Sequence, residues 1–327
     1  MKKKYLLLGI YLPLIFILTG VAVALRSAAA ISYLDFATGY YTDNSFLTIS
    51  VWLIVGAVLA GASYLIIGDR EMRLVASFDT PATYIPSSVV AVALLFMAAG
   101  ITRDIVAAMG GVFTEETLKA HALPMITALL AILAVIGFLT TSLSQKRENL
   151  SRAAFGIMTV LFIIVYAAML YFDSSMPKNA PDRVVDLMAY VFASMFFLYE
   201  IRLSLGRDVW FAYIAFGMMG ASVCAYSSIP ALVVYFTDGH IISSSIYESV
   251  LTLALFVFMT ARMLMTTGLA EDKDTPLVEM IKHREDQRRV YEPEDDTVTE
   301  DEDPTDASNY TFDLDTPVQN ASQGEEK

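Results

Sequence analysis

Eight apolar runs, each long enough to cross a bilayer, leave this chain few possible folds. They cover 5–25, 46–67, 87–109, 122–143, 153–172, 184–205, 209–236 and 244–265. About 20 apolar residues in a helix match the thickness of the hydrocarbon core. In lipid every backbone polar group must be satisfied internally, and helices of this length do so. With 56% hydrophobic residues, the sequence predicts an all-α integral membrane protein, a bundle of about eight transmembrane helices. The third run is the least regular, because Arg103 and Asp104 interrupt it near its end, where they can snorkel or pair.

The first run follows Met1-Lys2-Lys3-Lys4 and precedes Ala28-Ala29-Ala30, a pattern that a signal peptide also shows. Its length favours a retained anchor, since signal h-regions span about 7–15 residues. Lys and Arg set the orientation of such a chain. With the N-terminus inside, ten of them (Lys2, Lys3, Lys4, Arg70, Arg73, Lys146, Arg147, Arg152, Arg202, Arg207) fall on the cytoplasmic side. Five (Arg26, Arg103, Lys119, Lys178, Arg183) fall outside. The expectation is a multi-pass protein of the cell membrane with both termini cytoplasmic.

The seventh run carries small residues in helical rows: Gly217, Ala221 and Ala225, then Gly220, Cys224 and Ser228. Such rows let helices approach closely where packing, not the hydrophobic effect, joins them. Pro230 removes a backbone donor and leaves a carbonyl to be satisfied from elsewhere. The sequence therefore predicts a central packing helix with a bend at 226–230, its freed carbonyl served by Ser227 or Ser228.

Two pairs of ionisable residues stand 14 residues apart, Asp186 with Glu200 and Glu248 with Arg262. That is nearly four helical turns, so each pair shares a face, about 21 Å apart along the axis. The sixth and eighth runs cross in the same sense, which places Glu200 and Arg262 at one depth. An isolated charge there is costly and pairing is the usual remedy, so a structural ion pair is predicted. At the other end, Asp186, Ser227, Ser228, Pro230 and Glu248 match in depth. Acids beside a broken helix can form an ion or solute site. The competing reading makes them helix caps: Ser245 and Glu248 fit a capping box, and Asp186 suits a first turn.

Charge divides the chain sharply. Residues 1–266 hold 16 Lys+Arg and 16 Asp+Glu, whereas 267–327 hold 6 and 19, so the net −13 belongs to the tail. Asp274-Thr275-Pro276 starts a predicted basic helix within a juxtamembrane segment, 267–291, suited to a solvated or leaflet-bound position. The acidic remainder, 292–327, is too poor in apolar residues to form a core and is expected to be disordered. Cys224 is the single cysteine and His121, His240 and His283 are scattered, so neither a disulfide nor a cofactor is expected. G-x-S-x-G, H-E-x-x-H and P-loop signatures are absent. Glu115-Glu116 lacks the arginine of the paired-glutamate motif of CAAX-type membrane proteases. Gly68-Asp69 lacks the second glycine of intramembrane aspartyl proteases.

These features point to a non-enzymatic scaffold or sensor-like membrane component. Its partners would be the lipid bilayer and a cytoplasmic protein met through the tail, with no nucleic acid. A small-solute or ion transporter using the outer acidic site is the rival reading.

Overall fold

The computed structural model describes residues 2–35, 40–67, 81–109, 115, 121–143, 149–172, 181–205, 209–239 and 245–268. Of the juxtamembrane segment 267–291 only 267 and 268 are among them, and the tail 292–327 lies outside. The described residues form helices α1 (Lys2–Tyr33), α2 (Ser45–Ile67), α3 (Pro81–Met109), α4 (Ala122–Leu143), α5 (Asn149–Phe172), α6 (Pro181–Ser204), α7 (Trp210–Asp238) and α8 (Ile246–Gly268). All eight are long and apolar enough to cross a membrane. Between α1 and α2, strands β1 (Leu34–Asp35) and β2 (Tyr40–Tyr41) pair antiparallel, with Leu34 opposite Tyr41.

Local chemistry sets several boundaries. Proline at the first position of α6 needs no N–H and already has a helical φ, and Asp182 follows in the first turn, where the dipole favours an acid. Ahead of α2, Asp43 accepts from the Ser45 N–H (2.9 Å) and hydroxyl (2.7 Å). Those bonds hold its carboxyl below the ordinary range. Gly239 ends α7 in the left-handed region (φ 70°) and returns its N–H to the Tyr235 carbonyl, a closure glycine makes without a Cβ clash.

Several boundaries differ from the sequence reading, and two of them relocate a charged residue. α1 continues to Tyr33, so Arg26 lies inside the helix and not in an outer loop. α6 begins at Pro181, which puts Asp186 beyond the first turn. The cap explanation for Asp186 therefore fails, and Asp182 occupies the position it was given.

α3 packs on α4 and α8, α4 on α5, α5 on α6, and α7 closes a six-helix ring between α6 and α8. Phenylalanines meet inside this ring: Phe138 (α4) lies 5.8 Å from Phe197 (α6) and 5.4 Å from Phe258 (α8), centroid to centroid. The α1–α2 pair docks on the far side of α7. Helix α7 is thus enclosed, with 20 of its 29 residues buried, against five of 23 in α2. Outward rows elsewhere are apolar and exposed, as with Trp52 (71%) and Ile66 (82%), the surface that a lipid environment suits.

The small rows of α7 are where its neighbours enter. A Cβ on Gly217 would stand 2.7 Å from Met263 Sδ and 3.2 Å from the Phe196 ring; one on Gly220 would stand 2.9 Å from Met259 Sδ. On the opposite side, Met219 fills the space left by Gly61 of α2. Gly217→Val and Gly220→Val should each destabilise the bundle by about 1–3 kcal/mol, the usual cost of overpacking. Gly56→Ala, where nothing lies within 4 Å, should be neutral or stabilising. Thermal unfolding in detergent checks this, and equal responses at the three positions would contradict the packing assignment.

Candidate functional site

The lone carbonyl created by Pro230 is that of Tyr226, four residues back, and its partner is an arginine. Arg26 of α1 donates through Nη1 to the Tyr226 carbonyl at 2.5 Å and through Nη2 to Asp182 Oδ1 of α6. Its guanidinium also lies over the Tyr226 ring, 4.5 Å from the centroid. Arg26 is 3% exposed and Asp182 4%. The serines expected at the bend act elsewhere. Ser227 donates to Asp186 Oδ1 at 2.5 Å, and Ser228 to the Cys224 carbonyl of its own helix at 2.7 Å. A guanidinium outcompetes a hydroxyl for this carbonyl because it carries charge and several donors in one fork. With the carbonyl satisfied, α7 remains helical through Pro230 to Asp238. The helix is not interrupted at the proline.

Other polar groups gather at the same end. The Tyr226 hydroxyl meets Ser50 Oγ of α2 at 2.8 Å, and deeper in the bundle Thr19 of α1 donates to Ser222 of α7 at 2.9 Å. Rising numbers in both helices, 19 with 222 and 26 with 226, show that α1 and α7 run parallel. Arg183 donates to the Leu170 carbonyl at the end of α5. From β2, Tyr41 faces Arg26; burial, with the Asp182 charge second, pushes its phenol up to about 12 against the pull of Arg26.

Glu248 is 1% exposed at the start of α8. Ser245 Oγ accepts its backbone N–H at 3.3 Å, one half of a capping box. Tyr190 on α6 is fully buried, and its hydroxyl has no hydrogen-bond partner among the described residues. Of the five residues grouped from the sequence, Asp186 and Ser227 are in direct contact. Glu248 lies in the first turn of α8, Ser228 turns to its own helix, and Pro230 contributes the carbonyl that it frees. Among the described residues no group of three His, Cys, Asp or Glu could hold a metal ion.

Towards the opposite end, Arg262 donates through Nε (3.1 Å) and Nη2 to Glu200 Oε1, and its guanidinium lies 5.7 Å from the Phe258 centroid. The pair bridges α6 and α8 one turn from where Phe197 stacks on Phe258, centroids 5.6 Å apart. Glu200 Oε2 is buried without a hydrogen-bond partner among the described residues.

No family model matches the chain, and no curated protein or solved structure is significantly similar to it.

Removing one member of a buried ion pair strands the other, at about 3–5 kcal/mol in soluble interiors. Arg26→Gln should reach that range, since it orphans Asp182 and the Tyr226 carbonyl together. Pro230→Ala restores an N–H for that carbonyl, so it should recover part of the Arg26→Gln loss and none of the Asp182→Asn loss. A double-mutant cycle on thermal stability separates the two; equal rescue of both variants would reject the carbonyl assignment. Glu200→Gln and Arg262→Gln should likewise cost less together than in sum, with partial recovery on swapping the charges.

Tyr41 supplies a pH signature. Unfolded, its phenol ionises near 10.0; folded, near 12. The stabilisation from its neutral form is complete below about pH 10 and is lost as pH rises through about 12. Over that interval the wild type should lose more stability than Tyr41→Phe, and parallel curves would count against the assignment.

Proposed function

We propose that the chain is a multi-pass cytoplasmic-membrane protein with a non-enzymatic role, a scaffold or sensor-like component. Both termini would be cytoplasmic, and a disordered acidic tail would meet a protein partner. The observation that supports this best is how the intramembrane charges are used. Arg26 closes on Asp182 and the Tyr226 carbonyl, Arg262 on Glu200, and Asp186 takes the Ser227 hydroxyl. Polar groups joined helix to helix in this way tie a body together and suit a platform that presents its ends.

Orientation is supported by the same burial. Arg26 and Arg183 are 3% and 5% exposed, so neither counts as a loop charge in the basic asymmetry. Ten cytoplasmic cations then face Arg103, Lys119 and Lys178, a steeper bias than the full sequence suggests. A second reading, solute or ion transport, is favoured by three buried polar groups on α6 and α8, Asp186, Glu248 and the Tyr190 hydroxyl.

Reporter fusions after Lys4, Arg147 and Lys327 should report cytoplasm, and one after Lys178 the outside. Photocrosslinkers placed in 292–327 should capture a discrete cytoplasmic protein in cells, while truncation after Arg289 leaves the body's thermal stability in detergent unchanged. Substrate-dependent uptake that disappears in Glu248→Gln would favour transport. A tail reporter on the outer side would overturn the topology.

A further inference from the structure

An apolar groove of about 620 Å³ runs along the bundle surface between α3 and α8. Tyr84, Val89 and Phe96 line it from α3, and Val250, Leu253 and Val257 from α8. It opens outward: Val92, also in its wall, is 66% exposed and Phe96 45%. Apolar grooves between helices are common, so the upper end of this one decides its meaning.

There the residues form a ladder from hydrocarbon to charge. The absent side chain of Gly100 lets the Tyr247 ring lie against α3, where a Cβ would come within 2.6 Å of it. That ring packs edge-on against Phe96 in the groove wall, centroids 4.6 Å apart, and on its other flank carries the Arg103 guanidinium at 5.5 Å. Arg103 donates through Nε (3.2 Å) and Nη2 (2.9 Å) to Asp104 Oδ1. Both side chains are open, at 70% and 60%. Arg103 lies seven residues beyond Phe96, about 10 Å along the axis, level with the first turn of α8. A cation and an anion thus stand side by side at one end of a chain-sized apolar groove.

We propose that this groove is a binding site for a glycerophospholipid with a zwitterionic phosphoethanolamine head. An acyl chain occupies the α3–α8 groove, the phosphate meets Arg103, and the primary ammonium meets Asp104. Guanidinium forks fit phosphate oxygens, and an ammonium with three N–H donors suits a carboxylate better than a quaternary choline, which has none. An anionic glycerol head would satisfy Arg103 but set its charge beside Asp104. The site is independent of the scaffold and transport readings.

Native mass spectrometry of the full chain in detergent tests it, with phosphatidylethanolamine, phosphatidylcholine and phosphatidylglycerol of matched chains. Phosphatidylethanolamine should be retained above the other two. Arg103→Gln should lower its retention about fivefold, the scale of an exposed charge contact. Asp104→Asn should remove its advantage over phosphatidylcholine. Val92→Trp, which fills the groove from an exposed position, should lower retention of all three. Because these side chains are exposed, thermal stability without lipid should stay at the wild-type value, and a variant that loses it is replaced by Arg103→Lys, which keeps charge without the fork. Equal retention of the three lipids, or no loss in either Arg103→Gln or Val92→Trp, would overturn the proposal. So would a dimer abolished by Val92→Trp, since a second copy would then be the occupant.

Discussion

A guanidinium inside the bundle holds three helices to one another. Arg26 reaches from α1 to a carboxylate on α6 and a backbone carbonyl on α7, and that carbonyl exists as a free acceptor because Pro230 gives up a donor. Each partner would be costly alone: a buried cation, a buried carboxylate, a carbonyl without its helical bond. Together they cancel. Satisfying the carbonyl keeps α7 a continuous helix, and a continuous α7 is what lets α1, α2, α6 and α8 all pack on it.

The enclosure of α7 explains why it reads so unlike the other seven helices. Gly217 and Gly220 face methionines on α8, and Met219 turns to Gly61 on α2. Flexible thioether chains fill the gaps that the glycines leave. The other helices need only one inward stripe, so their remaining faces carry the large exposed residues a lipid environment accepts. Charge follows the same division. Between α6 and α8 the Glu200–Arg262 ion pair stands beside the Phe197–Phe258 ring contact.

Much of this was legible in the chain. Apolar length gives the eight helices, and the small rows identify the seventh as central. A 14-residue spacing brings out Glu200 and Arg262, which the structure places in contact. The rest was illegible for a definite reason. Proline at 230 announces that the Tyr226 carbonyl needs a donor, but the donor stands 200 residues earlier, and no local period connects them. Arg26 looked like a loop cation because a charge after an apolar run ordinarily ends a span. Small residues at Ala29 and Ala30 let the helix continue against α7, where they pack with Ala231 and Val234. Asp186 was misplaced by three residues of helix start.

The parallel contact of α1 with α7 bears on how the protein is made. A ribosome delivers α1 to the membrane long before α7 exists, so Arg26 enters without Tyr226 or Asp182 to receive it. An arginine in that position is held near water or headgroups until a partner arrives. The first helix therefore waits at the membrane boundary, to be drawn in when the sixth and seventh have been inserted. The contact closes across 200 residues of sequence, and the nascent chain holds an unmatched charge at least until residue 182 has been made.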